Sequence, residues 1–446
     1  MPAPLVRWGS SALAPAEHML RTLWLSAGGK CAVQDGGAPL RFWIDEYAFS
    51  EGETAILREN IEASGGAAVL AGETRMRTMS RKGYYAPSAW DVYWTSRQEC
   101  YKALPYLGPG QRVSCLPGIA ALTDKASLVE TLVRAYGELA FSILPRSFLL
   151  PEGYWAWRLW REAHAACQQG PGEEVWVLKE DAHRGAGVHV LPIGEAVHEA
   201  RRQGLNRGAQ GSTEDQGPSQ GLGGASYDMV QQYVSDQLTI DGRKFYVRAW
   251  VLVTAALPLR VYLFDGGVVP FGAPAAGAAS SPTSPGVPKP GSSEVAANAG
   301  ADLIVNLWRL DRGQARTWSV ADLRVYLGNV TGSPAAFDGL WAAMQRSIGL
   351  AFAAAAGELR EEAAALRARP GTTFELVGVD FLVDRGLRPW LLEVNAMPSL
   401  ARKVLDSGHQ IAASSEAAAP LDAFDAQKEA SRMSTWCVLG GIISTL

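Results

Sequence analysis

Three oxygen-bearing side chains near the end of the sequence have the types and spacing of a metal site. Asp380 lies in the apolar run VGVDFLV, and Glu393 and Asn395 lie in the run PWLLEVN. Short apolar runs joined by a turn predict adjacent strands, and residues two apart fall on one face of a strand. Carboxylates and phosphate oxygens are the ligands that Mg²⁺ prefers. The pattern therefore predicts a magnesium site for a nucleotide, with solvated strand ends or turn caps as the alternative.

A second stretch, VWVLKEDAHRGAGVHVL, predicts a strand, a glycine-containing loop and another strand. Lys179 ends the first strand, and the loop consists of Arg184, Gly185, Ala186 and Gly187. Glycines let backbone N–H groups approach a phosphate, while lysine and arginine supply positive charge. The loop leads into a strand and no Gly-Lys-Ser/Thr follows it, which excludes a Walker loop. A phosphate-binding hairpin and an ordinary solvent-facing turn are the two remaining interpretations.

The run GRKFYVRAWVLV predicts a strand with two cationic residues on one of its faces. Lys244, Tyr246 and Arg248 fall on one face of the predicted strand because side chains alternate with period two. Two positive charges on a buried strand need a nearby anion, and a triphosphate is a candidate. The alternative is an edge strand whose cations form salt bridges. The run MVQQYV, just before, could offer backbone groups to the edge of an adenine. Its polar residues are Gln231, Gln232 and Tyr233.

Composition and charge indicate which classes of function are not expected. The chain has 446 residues, of which 48% are hydrophobic and 19% charged, and a formal net charge of −4. This length predicts about two or three domains, and the charge argues against a general polyanion binder, so no nucleic-acid partner is expected. No secretory leader is evident, and the apolar tail WCVLGGIISTL is too short to span a bilayer, so no membrane partner is expected.

The cysteines predict neither a zinc site nor a disulfide framework, because they show no CxxC spacing and no nearby histidine pair. A reducing cytosol is the expected compartment. The five residues are Cys31, Cys100, Cys115, Cys167 and Cys437.

Two low-complexity stretches interrupt the pattern of apolar blocks. Residues 203–226 and 272–301 are rich in Gly, Ser, Pro and Ala, and we expect both to be surface insertions. The block 227–271 between them predicts three strands. The block 335–369 predicts a helix that ends at Pro370 and Gly371.

Six stretches, in order from about Trp90 to Lys428, resemble the tubulin–tyrosine ligase-like family of ATP-grasp amino acid ligases. They are DVYWT, RVSCLPGIAALTDKASLVETL, ILPRSFLLP, WVLK…RGAGV, VQQYVSDQLTIDGRKFYVRAWVLVTAALPLRVYLF and FELVGVDFLVD…LRPWLLEVNAMPSL. The resemblance implies a mixed α/β ATP-grasp fold with a nucleotide site between its central and C-terminal subdomains. The expected divisions are an N-terminal domain at 1–120, a central subdomain at 121–226 and a C-terminal subdomain at 227–446.

The resemblance also implies a role for each candidate residue. Phosphate binding is expected of Lys179, Arg184, Gly185, Ala186, Gly187, Val188 and Lys244, and adenine binding of Gln231, Gln232, Tyr233 and Val234. Magnesium binding is expected of Asp380, Glu393 and Asn395. Arg248 is expected to face the reacting phosphoryl group, with Lys244 beside it in the catalytic set. Lys125 and Asn306 are assigned to the nucleotide site.

The departures from the family pattern lie mainly on one side of the expected site. Tyr246 stands where the family has Asp, Pro270 where it has Arg, and Val305 where it has Thr. Glu180 follows the loop lysine where Pro is usual. The nucleotide and metal ligands are thus predicted to be kept, while the amino acid and acceptor side is altered.

The function implied is an ATP- and Mg²⁺-dependent ligase that adds L-glutamate to glutamate side chains of α- or β-tubulin tails through an acyl phosphate. The resemblance is closest to polyglutamylases, from the extended central blocks and the run FSILPRSFLLP. The alternatives are a tubulin glycine ligase and a nucleotide-binding pseudoenzyme that serves as a tubulin or ciliary binding module. The cytoplasm and cytoskeleton, including a cilium, flagellum or basal body, are the expected location. A basic acceptor groove is expected from Arg75, Arg77, Arg81, Lys82, Arg201 and Arg202.

Overall fold

The computed structural model describes residues 39–63, 66–70, 76–78, 85–87, 89–164, 174–180, 187–209, 227–274 and 316–398. Within these ranges the chain forms eight helices and seventeen strands in four sheets. The mixed α/β class predicted from the sequence is therefore confirmed. No helix in the same ranges is both long and apolar enough to cross a lipid bilayer.

The N-terminal part forms a small parallel sheet covered by a helix. Its elements are β1 (Arg41–Ile44), α1 (Glu51–Ala63), β2 (Ala67–Leu70), β5 (Val92–Trp94), α2 (Arg97–Ala103) and β6 (Arg112–Val113), followed by α3 (Ala120–Thr123) and α4 (Lys125–Tyr136). The strand order is β2-β1-β5-β6, and parallel neighbours of this kind need crossover segments such as α1. Strands β3 (Met76–Thr78) and β4 (Tyr85–Pro87) pair separately.

One cysteine pair departs from the sequence-based expectation. Cys100 of α2 and Cys115, which follows β6, are joined by a disulfide and lie in the same buried cluster. The two cysteines are 15 residues apart. Their spacing did not predict the bond, because the pair meets only when α2 packs against the segment after β6.

The central sheet is antiparallel and carries the predicted lysine hairpin. Its elements are β7 (Ser147–Leu149), α5 (Tyr154–His164), β8 (Val175–Lys179), β9 (Val188–Pro192), α6 (Ile193–Ala209) and β10 (Met229–Gln232). The strand order is β7-β10-β8-β9, which confirms β8 and β9 as a hairpin. Helices α5 and α6 cover one face, where Trp157 packs on Trp176 of β8 with Ala196 and Ala200 beside them.

The large sheet is antiparallel and holds the second predicted hairpin. Its elements are β11 (Thr239–Ile240), β12 (Arg243–Phe245), β13 (Val247–Ala256), β14 (Leu259–Pro274), β15 (Arg316–Ser319), α7 (Val320–Thr331), α8 (Ala335–Ala365), β16 (Glu375–Val383) and β17 (Pro389–Ala396). The order is β11-β12-β14-β13-β16-β17, with β15 paired to β14. The hairpin of β16 and β17 agrees with the sequence-based prediction. The block 227–271 was expected to hold three strands, but five strands begin within it, because β11 is an additional short strand and the expected second strand is divided into β12 and β13 at Tyr246.

The two faces of β13 and β16 have different surroundings. On one face Val251, Val379 and Phe381 belong to the main core, together with residues of α4 and α8. On the opposite face Trp250 and Leu376 pack in a cluster with β1, α1 and β5 of the N-terminal sheet. Further along this second face, apolar residues give way to charged ones, and this is where the candidate site lies.

The end of the long helix α8 was predicted several residues too late. The helix ends in a Schellman motif: Arg367 N–H donates to Ala364 O, Ala368 N–H donates to Ala363 O, and Arg367 has φ of 54°. This motif closes the helix before Pro370 can interrupt it. Sequence reasoning missed it because arginine is an uncommon residue at a left-handed position.

The predicted domain boundaries at residues 120 and 226 stay predictions. The sheets place β10, which begins after residue 226, in the central sheet between β7 and β8. Helix α4, which lies within 121–226, packs against α8 and β17. The chain therefore passes between the central and the large sheet more than once.

Candidate nucleotide and metal site

Asp380 and Glu393 face each other across the hairpin of β16 and β17. The two residues are direct partners in the antiparallel register. Asn395, two residues after Glu393, donates from Nδ2 to Asp380 Oδ2 and to Glu393 Oε1, both at 3.1 Å. The three predicted metal ligands are therefore brought together on one face, as the period-two spacing indicated.

A β-bulge sits directly beside this pair. Asp380 pairs with Glu393, but the next residue, Phe381, pairs with Leu391, so Leu392 is the extra residue. The bulge lets Leu391 enter the main core while Glu393 remains on the face of Asp380. A regular strand would have put Leu391 and Glu393 on the same face.

Arg248 of β13 neutralises Asp380 directly. Its Nε and Nη2 donate to the two carboxylate oxygens at 2.7 and 2.6 Å, and the pair is largely buried. The guanidinium lies over Gly378, where an added Cβ would stand 3.4 Å from Arg248 Nε and 3.1 Å from Pro398 Cβ. A glycine at position 378 therefore leaves room for this bidentate contact.

Two lysines approach Glu393 from other parts of the chain. Lys179 ends β8 and is 7% exposed, and Lys125 begins α4 and is 9% exposed. Burial lowers the pKa of Lys179 to about 8, with Glu393 opposing and Lys125 reinforcing this shift. Both lysines act on Glu393 as well, which places them on the same side of the site.

The pKa values of the two carboxylates are shifted in opposite directions. Burial raises the pKa of Asp380 to about 6, although Arg248 opposes it. Burial also tends to raise the pKa of Glu393, but the Asn395 hydrogen bond and the charges of Lys179, Lys125 and Arg248 lower it below its ordinary value. The guanidinium of Arg248 stays charged, because the Asp380 carboxylate outweighs the effect of burial and raises its pKa.

The predicted adenine segment lies against Lys244 rather than against the acidic pair. Lys244 Nζ donates to Tyr233 Oη at 2.7 Å. Gln231 is buried in the central sheet, where its Nε2 donates to Ser147 Oγ at 2.8 Å. Val234 O accepts from Gln237 Nε2 at 2.8 Å. Ser147 and Gln237, which sequence reasoning missed, fix this segment, and nothing in their local sequence indicates it.

Tyr246 lies between Lys244 and Arg248, as the alternation predicted. Its N–H donates to Pro270 O at 3.3 Å, so two of the departures from the family pattern are neighbours on adjacent strands. The Arg248 guanidinium lies 5.7 Å from the centroid of the Tyr246 ring. Burial, and then the charge of Asp380, raise the pKa of the Tyr246 hydroxyl, which stays neutral.

The remaining predicted residues are only partly described. Val188 begins β9, and Gly187 directly before it has φ of 73°; a Cβ there would approach Glu180 Cβ to 2.6 Å, so the position favours glycine. Gln232 lies at the end of β10, partly exposed. Outside the described residues lie Arg184, Gly185, Ala186, Val305 and Asn306.

The basic acceptor groove is not assembled by the described residues. Arg202 of α6 is paired with Glu199, and the neighbouring Arg201 is exposed. Arg77 belongs to β3, remote in sequence from α6. Arg75, Arg81 and Lys82 lie outside the described residues. The groove stays a prediction.

The donor set fits a magnesium-bound polyphosphate. One donor, Asn395 Nδ2, lies 3.1 Å from an oxygen of each carboxylate, so the two carboxylates are close enough to act on one small ligand together. Mg²⁺ takes one or two carboxylates and completes its shell with phosphate oxygens and water. Among the described residues of this cluster the cations exceed the carboxylates, since Lys125, Lys179 and Arg248 stand against Asp380 and Glu393. An anion is needed to balance this excess.

Known proteins resemble this chain in sequence over most of its length. The sequence profile of the Tubulin-tyrosine ligase family matches residues 105–274 and 309–412. Tubulin polyglutamylase TTLL5 of Mus musculus is 29% identical over 329 residues, covering 71% of this chain and 21% of that protein. Tubulin monoglutamylase TTLL4 of Homo sapiens is 26% identical over 300 residues, covering 65% and 21%. Tubulin polyglutamylase TTLL13 of Homo sapiens is 24% identical over 329 residues, covering 70% and 34%.

These relatives are much longer than the region that they share with this chain. The chain spans about a fifth of the length of TTLL5 and TTLL4 and about a third of TTLL13. The profile match, by contrast, takes up more than half of the chain and includes both β8 and the hairpin of β16 and β17. The protein belongs to the tubulin-tyrosine ligase family.

Proposed function

We propose that the protein is an ATP-dependent ligase that joins L-glutamate to glutamate side chains of tubulin tails. The observation that carries the proposal is the convergence of Asp380 and Glu393 with Arg248, Lys179 and Lys125 in one largely buried cluster. Such a cluster suits a magnesium-bound triphosphate. The names of the relatives, which are tubulin glutamylases, support the choice of acceptor and donor.

The proposed reaction has two steps. The terminal phosphoryl group of ATP moves to a carboxylate oxygen of the acceptor, giving an acyl phosphate and ADP. The amine of free glutamate then attacks the acyl carbon, the C–N bond forms, and inorganic phosphate leaves with the C–O bond electrons as the amine loses a proton. Both steps need positioning and charge neutralisation more than covalent help from the protein.

The residues of the site divide this work. Asp380 and Glu393, with Asn395, would hold Mg²⁺, which neutralises charge on the transferred phosphoryl group. Lys179, Lys125 and Lys244 would bind phosphate oxygens, and Arg248 would orient Asp380 while facing the phosphoryl group. The segment from Gln231 to Val234, held by Lys244 at Tyr233, would contact the adenine.

The proposed setting follows from the acceptor. Tubulin tails are acidic, so the acceptor surface should be basic, and Arg201 on α6 is an exposed residue available for it. We place the protein in the cytoplasm on microtubules, including those of a cilium, a flagellum or a basal body.

A nucleotide-binding module without ligase activity is the second candidate function. It is favoured by Tyr246 and Pro270, which are hydrogen-bonded neighbours and both differ from the family pattern. Losing an arginine from a carboxylate site removes a charge-assisted hydrogen bond of about 1.5–3 kcal/mol. A glycine ligase shares all the chemistry above and differs only in the donor amino acid.

Incorporation of radiolabelled glutamate into purified microtubules tests the proposal. The reaction contains ATP and Mg²⁺, and the Glu393→Gln variant serves as the control. Incorporation that disappears in the variant supports a glutamate ligase. Incorporation of glycine alone identifies the glycine ligase. No incorporation of glutamate, glycine or tyrosine, together with measurable ATP binding, overturns the ligase and leaves the binding module.

A further inference from the structure

Tyr246 holds an unusual place in the charged cluster. It shares one face with Lys244 and Arg248, between the segment of Tyr233 and the acidic pair. Its backbone is fixed to β14 through Pro270 O, and its ring lies beside the Arg248 guanidinium. The side chain is therefore held at the centre of the site by its neighbours on two strands.

The hydroxyl of Tyr246 is a hydrogen-bond donor that the described part of the chain does not use. None of the described residues accepts from it, although the side chain is partly buried. A polar group removed from water costs free energy unless it finds a partner. The surrounding carboxylates are already engaged, since Asp380 accepts from Arg248 and Asn395, and Glu393 accepts from Asn395. The hydroxyl oxygen reaches solvent in the free chain, so a ligand that displaces the solvent here is expected to supply the acceptor.

The charge of the cluster indicates the kind of acceptor. Arg248, Lys179 and Lys125 outnumber the two carboxylates, so an incoming acceptor with negative charge is favoured. A carboxylate at position 246, as in the family pattern, would add a third negative charge beside Asp380 and repel such an anion unless a cation intervened. A phenol at the same position is neutral and donates instead.

We propose that the Tyr246 hydroxyl donates a hydrogen bond to an anionic oxygen of a substrate and so determines which substrate the site accepts. That oxygen belongs either to the terminal phosphoryl group of the nucleotide or to the carboxylate of the amino acid. The inference rests on the proposed function for the identity of these two substrates. It adds a specificity-determining residue that the family pattern does not contain.

Binding measurements on the full chain distinguish the two sources. The Tyr246→Phe variant removes only the hydroxyl, and the Tyr262→Phe variant, on β14 outside the charged cluster, is the matched control. Affinities for ATP and ADP with Mg²⁺ are measured by calorimetry. Affinity for radiolabelled glutamate is measured by equilibrium dialysis with a non-hydrolysable ATP analogue present. Binding alone is read, so the test does not require turnover.

A hydrogen bond to a charged group corresponds to roughly a tenfold to hundredfold change in affinity. Weaker ATP binding with unchanged ADP binding assigns the hydroxyl to the terminal phosphoryl group. Weaker glutamate binding with unchanged ATP binding assigns it to the amino acid carboxylate. Equal affinities of Tyr246→Phe and the native chain for every ligand overturn the inference, and so does an equal loss in Tyr262→Phe.

A second variant tests the charge argument. Tyr246→Asp places a third carboxylate beside Asp380 and Glu393, so Mn²⁺ should bind more tightly while ATP without divalent cation binds more weakly. The opposite pattern overturns the inference. If the native chain transfers no amino acid to microtubules, the proposed ligase fails, but these binding results still decide the role of Tyr246. If the native chain is an active ligase and the variants bind like it, only the inference on Tyr246 fails.

Discussion

Strand β16 carries one buried carboxylate at its N-terminal end and another in its C-terminal half, and the two positions, here called the Glu375 end and the Asp380 end, have different surroundings. Glu375 at one end is 2% exposed and accepts a hydrogen bond from Leu116 N at 2.8 Å. Asp380, three residues before the last residue of β16, is 4% exposed and accepts hydrogen bonds from Arg248 Nε and Nη2 and from Asn395 Nδ2. Burial raises the pKa of both, that of Glu375 to about 7 and that of Asp380 to about 6.

The difference shows that a buried carboxylate does not by itself mark a functional site. Glu375 connects a backbone N–H in the segment before α3 to the large sheet, and Arg97 is the nearby positive charge that acts on it. Around Asp380 and Glu393, positive charges come from β8, β13 and α4. We infer that the Glu375 end anchors the fold and that the Asp380 end does chemistry.

The largest expected effect separates the two ends by activity. Glu393→Gln, at the Asp380 end, keeps the shape of the side chain but removes a negative charge needed for Mg²⁺. We expect ligase turnover to fall roughly ten-thousandfold, about 5.5 kcal/mol in activation free energy. Glu375→Gln is the matched change at the other end and should leave turnover unchanged. Parallel assays of glutamate incorporation check both, and equal losses in the two variants would remove the distinction between the ends.

The second effect concerns stability at the Asp380 end. Arg248→Met leaves the Asp380 carboxylate buried without its partner, which costs roughly 3–5 kcal/mol of unfolding free energy. The double variant Arg248→Met with Asp380→Asn removes both charges and should regain much of that loss without regaining turnover. Urea unfolding of the native, single and double variants measures this. A double variant no more stable than Arg248→Met would show that the two charges are not coupled.

Sequence reasoning found the parts of the site that lie close together in the chain. The hairpin, the facing of Asp380 and Glu393, and the common face of Lys244, Tyr246 and Arg248 all follow from period-two alternation over short distances. Such local geometry is fixed by the strand itself. The two hydrogen bonds from Asn395 to the carboxylates are local in the same sense.

Contacts between distant segments did not follow from local patterns, and Lys125, Lys179 and Arg248 were brought into one site only through the family resemblance. Arg248 meets Asp380 only because β13 lies next to β16, and Lys125 and Lys179 reach Glu393 from α4 and the central sheet. The sequence of the run PWLLEVN does not indicate the bulge at Leu392. At the other end of β16, Glu375 looks in sequence like any acidic residue at the start of a strand, and its burial appears only when the N-terminal part packs on the sheet.

The third effect is the pH dependence of stability that Glu375 contributes. With a pKa of about 7 when folded, Glu375 holds its proton more tightly in the folded than in the unfolded chain. Its contribution to stability is complete below pH of about 4.5 and is lost as the pH rises through 7. Glu375→Gln keeps an acceptor for Leu116 N without this titration. We expect the variant to be more stable than the native chain by about 3 kcal/mol at pH 8.

Unfolding in urea at pH 5 and pH 8 checks this expectation. The gain of Glu375→Gln over the native chain should be small at pH 5 and close to its maximum at pH 8. Glu361→Gln, an exposed residue of α8, is the matched control and should show the same small difference at both values. A gain for Glu375→Gln that does not depend on pH would contradict the assigned burial penalty.

The smallest effect tests the positive charge of Arg97, which acts on Glu375 within the described part of the chain. Arg97 lowers the pKa of Glu375, while its Nη2 donates to Thr123 Oγ1 at 2.9 Å and its buried Nε has no partner among the described residues. Arg97→Met should raise that pKa further and enlarge the loss of stability between pH 5 and pH 8 by less than about 1 kcal/mol. The change in packing and the lost hydrogen bond contribute equally at both pH values, so they cancel in this difference.

In the Glu375→Gln background the same substitution should leave the difference unchanged, because no titrating group remains for Arg97 to act on. An effect of Arg97→Met that persists in that background would mean that another group supplies the pH dependence, and the Glu375 end would then be more than a single anchored carboxylate.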